Sequence, residues 1–227
     1  MPPRHELKYY IPFADYKVLS SMLAQSMKKD SHAKGEEGYF VRSLYFDTLD
    51  CRAYYEKIDG VNRRMKIRLR VYAPQSKTAK FEIKNREGNA VWKEVAPISC
   101  EDAKKVMQGE YECMLEHNNA TLNKIYAIFN AEKYRPVLLV EYQRQAYVDE
   151  ASGTRITFDR CIRRDTEDFA LFGANAARMG IGEPQTVVME LKFGRYFPDW
   201  IRIIINGISH SRQSISKFCL GMEGGFE

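Results

Sequence analysis

Phe81-Glu82-Ile83-Lys84 and Met189-Glu190-Leu191-Lys192-Phe193 are matched stretches in which a carboxylate and an ammonium stand two residues apart. In an extended strand, side chains alternate between faces. Glu82 and Lys84 therefore share one face, with Phe81 and Ile83 on the other. Glu190 and Lys192 likewise share a face opposite Met189, Leu191 and Phe193. A third copy is Glu6-Leu7-Lys8. A fourth strand, Met65-Lys66-Ile67-Arg68-Leu69-Arg70-Val71, sets Lys66, Arg68 and Arg70 against four apolar residues. Strands that are apolar on one side and charged on the other predict a sheet around a charged interior. A charged interior needs a charged ligand.

Working outward, strand-like segments fall near residues 4–11, 39–47, 64–73, 79–86, 90–96, 137–148, 154–163 and 186–194, about eight in all. Helical stretches lie between them. Residues 13–28 carry Leu19, Met22 and Leu23 at helical spacing, and 121–132 set Leu122, Ile125, Tyr126 and Phe129 on one face. Ser99-Cys100-Glu101-Asp102 reads as a capping box. Asp199 is expected to cap a helix running through Trp200, Ile203 and Ile204. Gly88 and Gly153 stand where hairpin turns are expected. With no linker, low-complexity run or repeat, 1–227 reads as one domain, with 221–227 a loose tail.

The 227 residues fit one β-rich domain or two small ones. At 44% hydrophobic and 29% charged, the composition is globular. Lys plus Arg is 35 against 30 for Asp plus Glu, and the net charge of +5 favours an anionic partner without specifying nucleic acid. No stretch approaches the roughly 18 apolar residues that span a bilayer. The stretch Met1 to Glu6 has no apolar core of a secretory signal. Cys51, Cys100, Cys113, Cys161 and Cys219 are scattered, with no Cys-x-x-Cys pair, which disfavours a zinc ribbon or redox motif. The cytoplasm is the expected location.

One charged strand face taken alone fits a solvated face better than a lined interior. Here such faces recur along the whole chain, and Arg68 and Arg70 suit bidentate phosphate contact. Two like charges about 5 Å apart at an effective dielectric of 20 repel by roughly 3 kcal/mol. A basic interior therefore needs acids, water or a polyanion to offset it. Glu6, Glu82, Glu141 and Glu190 are interleaved suitably, and their oxygens suit Mg2+ or Mn2+. A P-loop is absent, Gly180-Ile181-Gly182 is no dinucleotide fingerprint, and Ser152 and Ser214 lack nucleophile-elbow context. His5, His32, His117 and His210 lack paired metal spacing, and His210 reads as a surface or hydrogen-bonding residue.

Several stretches, taken in order, resemble a known family. They are Lys8-Tyr9, Val41-Arg42-Ser43-Leu44-Tyr45-Phe46-Asp47, Arg68-Leu69-Arg70, Phe81-Glu82-Ile83-Lys84, Glu141-Tyr142-Gln143-Arg144-Gln145-Ala146-Tyr147, Arg155-Ile156-Thr157-Phe158-Asp159, Glu190-Leu191-Lys192 and Ser216-Lys217-Phe218. From about Lys8 to Gly221 the chain resembles the polyphosphate polymerase (VTC) domain of the triphosphate tunnel metalloenzymes. The resemblance implies an α+β, mainly β fold: a closed antiparallel β-tunnel of about eight strands with helices packed outside. It implies transfer of the ATP γ-phosphoryl group onto a growing polyphosphate, with Mn2+ or Mg2+. Carried over by residue, it assigns catalytic roles to Arg68, Arg70, Lys84, Arg155 and Lys217. It assigns substrate binding to Lys8, Arg144, Lys192 and Ser216, and metal binding to Glu190. The implied partners are ATP and inorganic polyphosphate, with no nucleic acid.

The chain departs from the pattern in places. Arg144 follows Glu141 by three residues, so a bulge is needed to bring both inside. Eukaryotic relatives carry a phosphate-sensing domain and transmembrane helices that are missing here, which suggests a stand-alone domain. Hydrolases of the same superfamily begin Glu-x-Glu-x-Lys, whereas Arg4-His5-Glu6-Leu7-Lys8 has Arg in place of the first acid. That weakens triphosphate hydrolysis as the alternative activity. A non-catalytic polyanion- or RNA-binding module is the other alternative, and the interleaved glutamates argue against it.

Overall fold

The computed structural model describes residues 5–30, 32, 38–174, 177, 179–183, 185–208 and 211–223. In chain order the elements begin β1 (His5–Pro12), α1 (Phe13–Ser26), β2 (Lys28–Lys29), β3 (Tyr39–Asp47), α2 (Arg52–Ile58) and β4 (Arg63–Val71). Next come β5 (Thr78–Glu87), β6 (Ala90–Ser99), α3 (Cys100–Met107), a 3-10 turn (Glu112–His117) and α4 (Ala120–Glu132). The chain finishes with β7 (Arg135–Asp149), β8 (Thr154–Asp165), β9 (Met179–Gly180), β10 (Thr186–Phe193), α5 (Asp199–Asn206), β11 (Ser211–Arg212) and α6 (Lys217–Glu223). It forms two compact units. The first comprises Met1–Phe40, Tyr142–Ile162 and Gly180–Ser216, and the second Val41–Glu141, Arg163–Met179 and Lys217–Glu227.

In the first unit, β1 pairs antiparallel with β10, and β10 with β8. Opposed residues share a face, so the register sorts charged from apolar. Tyr9, Ile11, Ile156, Phe158, Met189 and Leu191 form the buried side. Helix α1 covers them with Tyr16, Leu19 and Leu23, and α5 with Ile201 and Ile205. Met22, at helical spacing with Leu19 and Leu23, is nevertheless 42% exposed, and Ile203 is 73% exposed. In α5 the apolar stripe follows the four-residue spacing of Ile201 and Ile205, which turns Ile203 to the opposite side. Asp199 opens the helix without capping it; Pro198 holds the cap position and makes no side-chain bond.

In the second unit, β3, β4, β5 and β6 pair antiparallel in sequence order. Gly88, at φ +56°, makes the tight β5–β6 turn that favours glycine. Leu44, Phe46, Ile67, Leu69, Phe81 and Ile83 pack against Leu122, Ile125 and Phe129 of α4 and Ala103 and Val106 of α3. Phe129 stacks on Tyr134 with centroids 5.5 Å apart. The N-cap half of the expected capping box is present: Ser99 Oγ accepts from the Asp102 amide at 3.0 Å and donates to its carboxylate at 2.7 Å. Ser99→Ala is expected to cost about 1 kcal/mol, read from urea denaturation; an unchanged midpoint would rule out a stabilising cap.

The eight expected strands are all present, with β2, β9 and β11 as additional two-residue strands, making eleven among the described residues. The hydrogen-bonded path ends at β11 and β6, which do not pair with each other among those residues. The closed tunnel of about eight strands is therefore corrected to an open antiparallel sheet. Alternation decides which face a side chain takes, not which edges meet. The expected bulge in β7 is also corrected. Glu141 pairs with Arg42 at 2.7 Å in the second unit, while Arg144 serves the first, so simple alternation suffices. The tail is ordered further than expected: α6 continues through Gly221 and Met222, both buried, to Glu223. His210 and residues 224–227 lie outside the described residues. The cysteines form no disulfide. Among the described residues no helix is long and apolar enough to cross a membrane.

Candidate functional site

The second unit presents a basic strand face. Register sets Arg64 opposite Arg86, Lys66 opposite Lys84, Arg68 opposite Glu82 and Arg70 opposite Lys80. On the next strand Lys93 lies opposite Lys84. These eight cations share one face of β4–β6 with Glu82 as its one carboxylate. Glu82, 2% exposed, accepts from Arg68 Nε at 2.7 Å and from Lys93 Nζ at 3.1 Å. Arg70 lies 3.8 Å from the same carboxylate and donates to Ser43 Oγ at 3.1 Å. Burial pushes the Glu82 carboxyl up, but the charges of Arg68, Arg70 and Lys93 outweigh it and hold the group at about 2.

Tyr45, opposite Arg68 in the register, accepts from Arg68 at 3.0 Å. Burial raises its phenol, and the Arg68, Arg70 and Lys66 charges together with the Arg68 hydrogen bond bring it down to about 8. Lys66 lies 4.5 Å over the Phe218 ring and donates to Cys219 Sγ at 3.5 Å. Lys217 heads the same helix, α6. Because the folded phenol is more acidic than the ordinary value of 10.0, this group adds stability as pH rises through 8 towards 10. One tyrosine is expected to ionise near pH 8 by ultraviolet absorbance, and Tyr45→Phe to abolish that step; an identical titration in the variant would refute the assignment.

The first unit carries a mixed face. Rows across β1, β10 and β8 read Glu6-Lys192-Arg155 and Lys8-Glu190-Thr157. Lys8 Nζ lies 3.0 Å from Glu6 and donates to the Ile215 carbonyl at 3.0 Å, just before Ser216. Glu190 pairs with Lys192 at 2.8 Å and lies 4.0 Å from Arg144. Burial would raise its carboxyl, but Lys192, Lys8 and Arg144 hold it well below the usual range. Arg144 makes a fork on Asp159 at 2.7 and 2.8 Å and stacks over Tyr142 at 5.2 Å. Arg155 pairs with Asp30 and donates to Tyr39 Oη.

A family model described as VTC domain matches residues 3–225. The chain belongs to the VTC domain family. The fold of this VTC domain is similar to that of a Bacillus halodurans protein provisionally assigned as an adenylate cyclase. The two are 12% identical, with 95% of each chain covered and a TM-score of 0.52. It is also similar to a chain of the Schizosaccharomyces pombe Mediator head module, at 7% identity, 92% of this chain, 99% of that chain and a TM-score of 0.50. At these identities the likeness shows the fold alone. No curated protein matches the chain.

Within the VTC domain, the first unit brings together Lys8, Arg144, Arg155, Glu190 and Lys192, with Ser216 adjoining through Ile215. The second brings together Arg68, Arg70 and Lys84, with Lys217 heading the helix that covers Lys66. Sequence reading missed Lys93, Tyr45, Asp159 and Asp30 as partners of these groups. Lys93 was findable: a two-residue turn at Gly88 sets Glu87 against Ala90 and hence Lys84 against Lys93. Among the described residues no three His, Cys, Asp or Glu side chains converge to hold a metal. Glu190, hemmed by Lys192, Lys8 and Arg144, fits a hard cation only as one carboxylate sharing it with phosphate oxygens.

Proposed function

We propose that this VTC domain transfers the γ-phosphoryl group of ATP to the end of an inorganic polyphosphate chain. The observation that carries the reading is the face of β4–β6, where eight cations share one carboxylate. Such a surface repels itself unless acids, water or a polyanion offset it, and a polyanion offsets all eight at once. Arg68, Arg70 and Lys84 bind and orient phosphate oxygens there, and Lys8, Arg144, Arg155 and Lys192 do so on the other charged face. Lys217 and Ser216 add a cation and a hydroxyl. The bond between the β,γ-bridging oxygen and the γ-phosphorus breaks, ADP carries away the electron pair, and a terminal polyphosphate oxygen forms the new P–O bond. The chain's contribution is in-line positioning and stabilisation of charge, so no protein nucleophile is needed. Mn2+ or Mg2+ bound by Glu190 and phosphate oxygens would neutralise developing charge.

Pure protein with ATP and Mn2+ is expected to make long-chain polyphosphate, resolved on a gel. Release of free phosphate without chain growth would replace transfer with triphosphate hydrolysis. Binding without turnover would leave a polyanion-binding module.

A further inference from the structure

Thr157 lies on the charged face of β8 and is 3% exposed. Its Oγ1 is buried and, among the described residues, has no hydrogen-bond partner. A buried hydroxyl left unbonded is unfavourable and asks for an explanation. Apolar packing is not one, since Ile156 and Phe158 supply it from the opposite face. Register places Thr157 directly opposite Glu190, whose other neighbour across the strands is Lys8. Opposed residues hold their Cβ atoms about 4.5–5.5 Å apart, so another Glu190 rotamer reaches the hydroxyl. In this structure the carboxylate leans instead to Lys192, at 2.8 Å.

We propose that Thr157 is a positioning residue for Glu190, giving the carboxylate a second resting place when a phosphate chain takes Lys192. The inference rests on the phosphate-binding reading above. A hydroxyl closed off from solvent is badly placed to meet a ligand first, but it is well placed to receive a neighbouring side chain. Where no divalent cation lies between them, an incoming phosphate competes for Lys192 and repels the ionised Glu190. Swung away, the carboxylate accepts from Thr157 Oγ1 in a charge-assisted hydrogen bond, and the idle hydroxyl becomes satisfied. Ligand-free and ligand-bound states thus differ by one exchange of partner at Glu190.

The test uses the full chain, with thermal unfolding in the absence of ligand and calorimetric titration of sodium tripolyphosphate. Thr157→Val keeps the shape and removes the hydroxyl. Its ligand-free Tm is expected to equal or exceed that of the wild type, because no hydrogen bond is lost. Its tripolyphosphate affinity is expected to fall about ten-fold, as for one hydrogen bond to a charged group. Thr157→Ser should restore affinity to within about two-fold by the same principle. Unchanged affinity in Thr157→Val while the wild type binds overturns the role of Thr157 and leaves the phosphate reading standing. A lower ligand-free Tm in Thr157→Val overturns it too, since the hydroxyl would already be bonded. A wild type that binds no tripolyphosphate overturns both.

Discussion

Asp159→Asn is expected to lower folding stability by about 3–5 kcal/mol, the usual cost of removing one partner of a buried ion pair. Asp159 is fully buried, and Arg144 donates to both its oxygens, at 2.7 and 2.8 Å. Asparagine keeps the shape, but it loses the charge and turns an amide N–H2 towards a guanidinium that can only donate. The Arg144 charge is then left buried, with Glu190 4.0 Å away. Urea denaturation measures the loss. A companion variant separates desolvation from packing: Arg144→Met with Asp159→Leu replaces both charges by apolar groups and should recover most of the stability. A loss under about 1 kcal/mol in Asp159→Asn, the range of exposed pairs, would show that the pair is solvated.

Arg70→Ala is expected to weaken ATP binding by about 2–5 kcal/mol, roughly 30- to 5,000-fold. Arg70 is 8% exposed, donates to Ser43 Oγ at 3.1 Å and lies 3.8 Å from Glu82. Arg68 and Lys93 hold Glu82 more closely, so its truncation leaves that carboxylate paired. Arg70→Lys keeps the charge but loses the planar fork, and should fall between wild type and alanine. Calorimetric titration of ATP reads the series. Affinity unchanged in Arg70→Ala would remove Arg70 from phosphate binding and weaken the case for the whole face of β4–β6.

The sites were legible where the signal is local. Glu82 with Lys84 and Glu190 with Lys192 could be placed on their faces from spacing alone, because the pleat has a period of two. The same arithmetic through the Gly88 turn reaches Lys93. The helices were legible less finely: Leu19 and Leu23 lie inward as expected, but Met22 does not. At i, i+3 and i+4 the three share one stripe, and only the surface packed beneath decides which residue at the margin of that stripe stays exposed.

By itself, the sequence determined the eight long strands, the charged and apolar sides of β1, β4, β5 and β10, the hairpin turn at Gly88 and the helix start at Ser99. All of these follow from interactions between near neighbours in the chain. Only the tertiary structure decided that Glu141 belongs to Arg42, that Asp159 pairs with Arg144, and that among the described residues the sheet path stays open at β6 and β11. Those outcomes depend on pairing between strands far apart in sequence, such as Asp159 beside Val188. A one-residue slip there would exchange every face, and no local pattern specifies which distant carboxylate a buried guanidinium will meet.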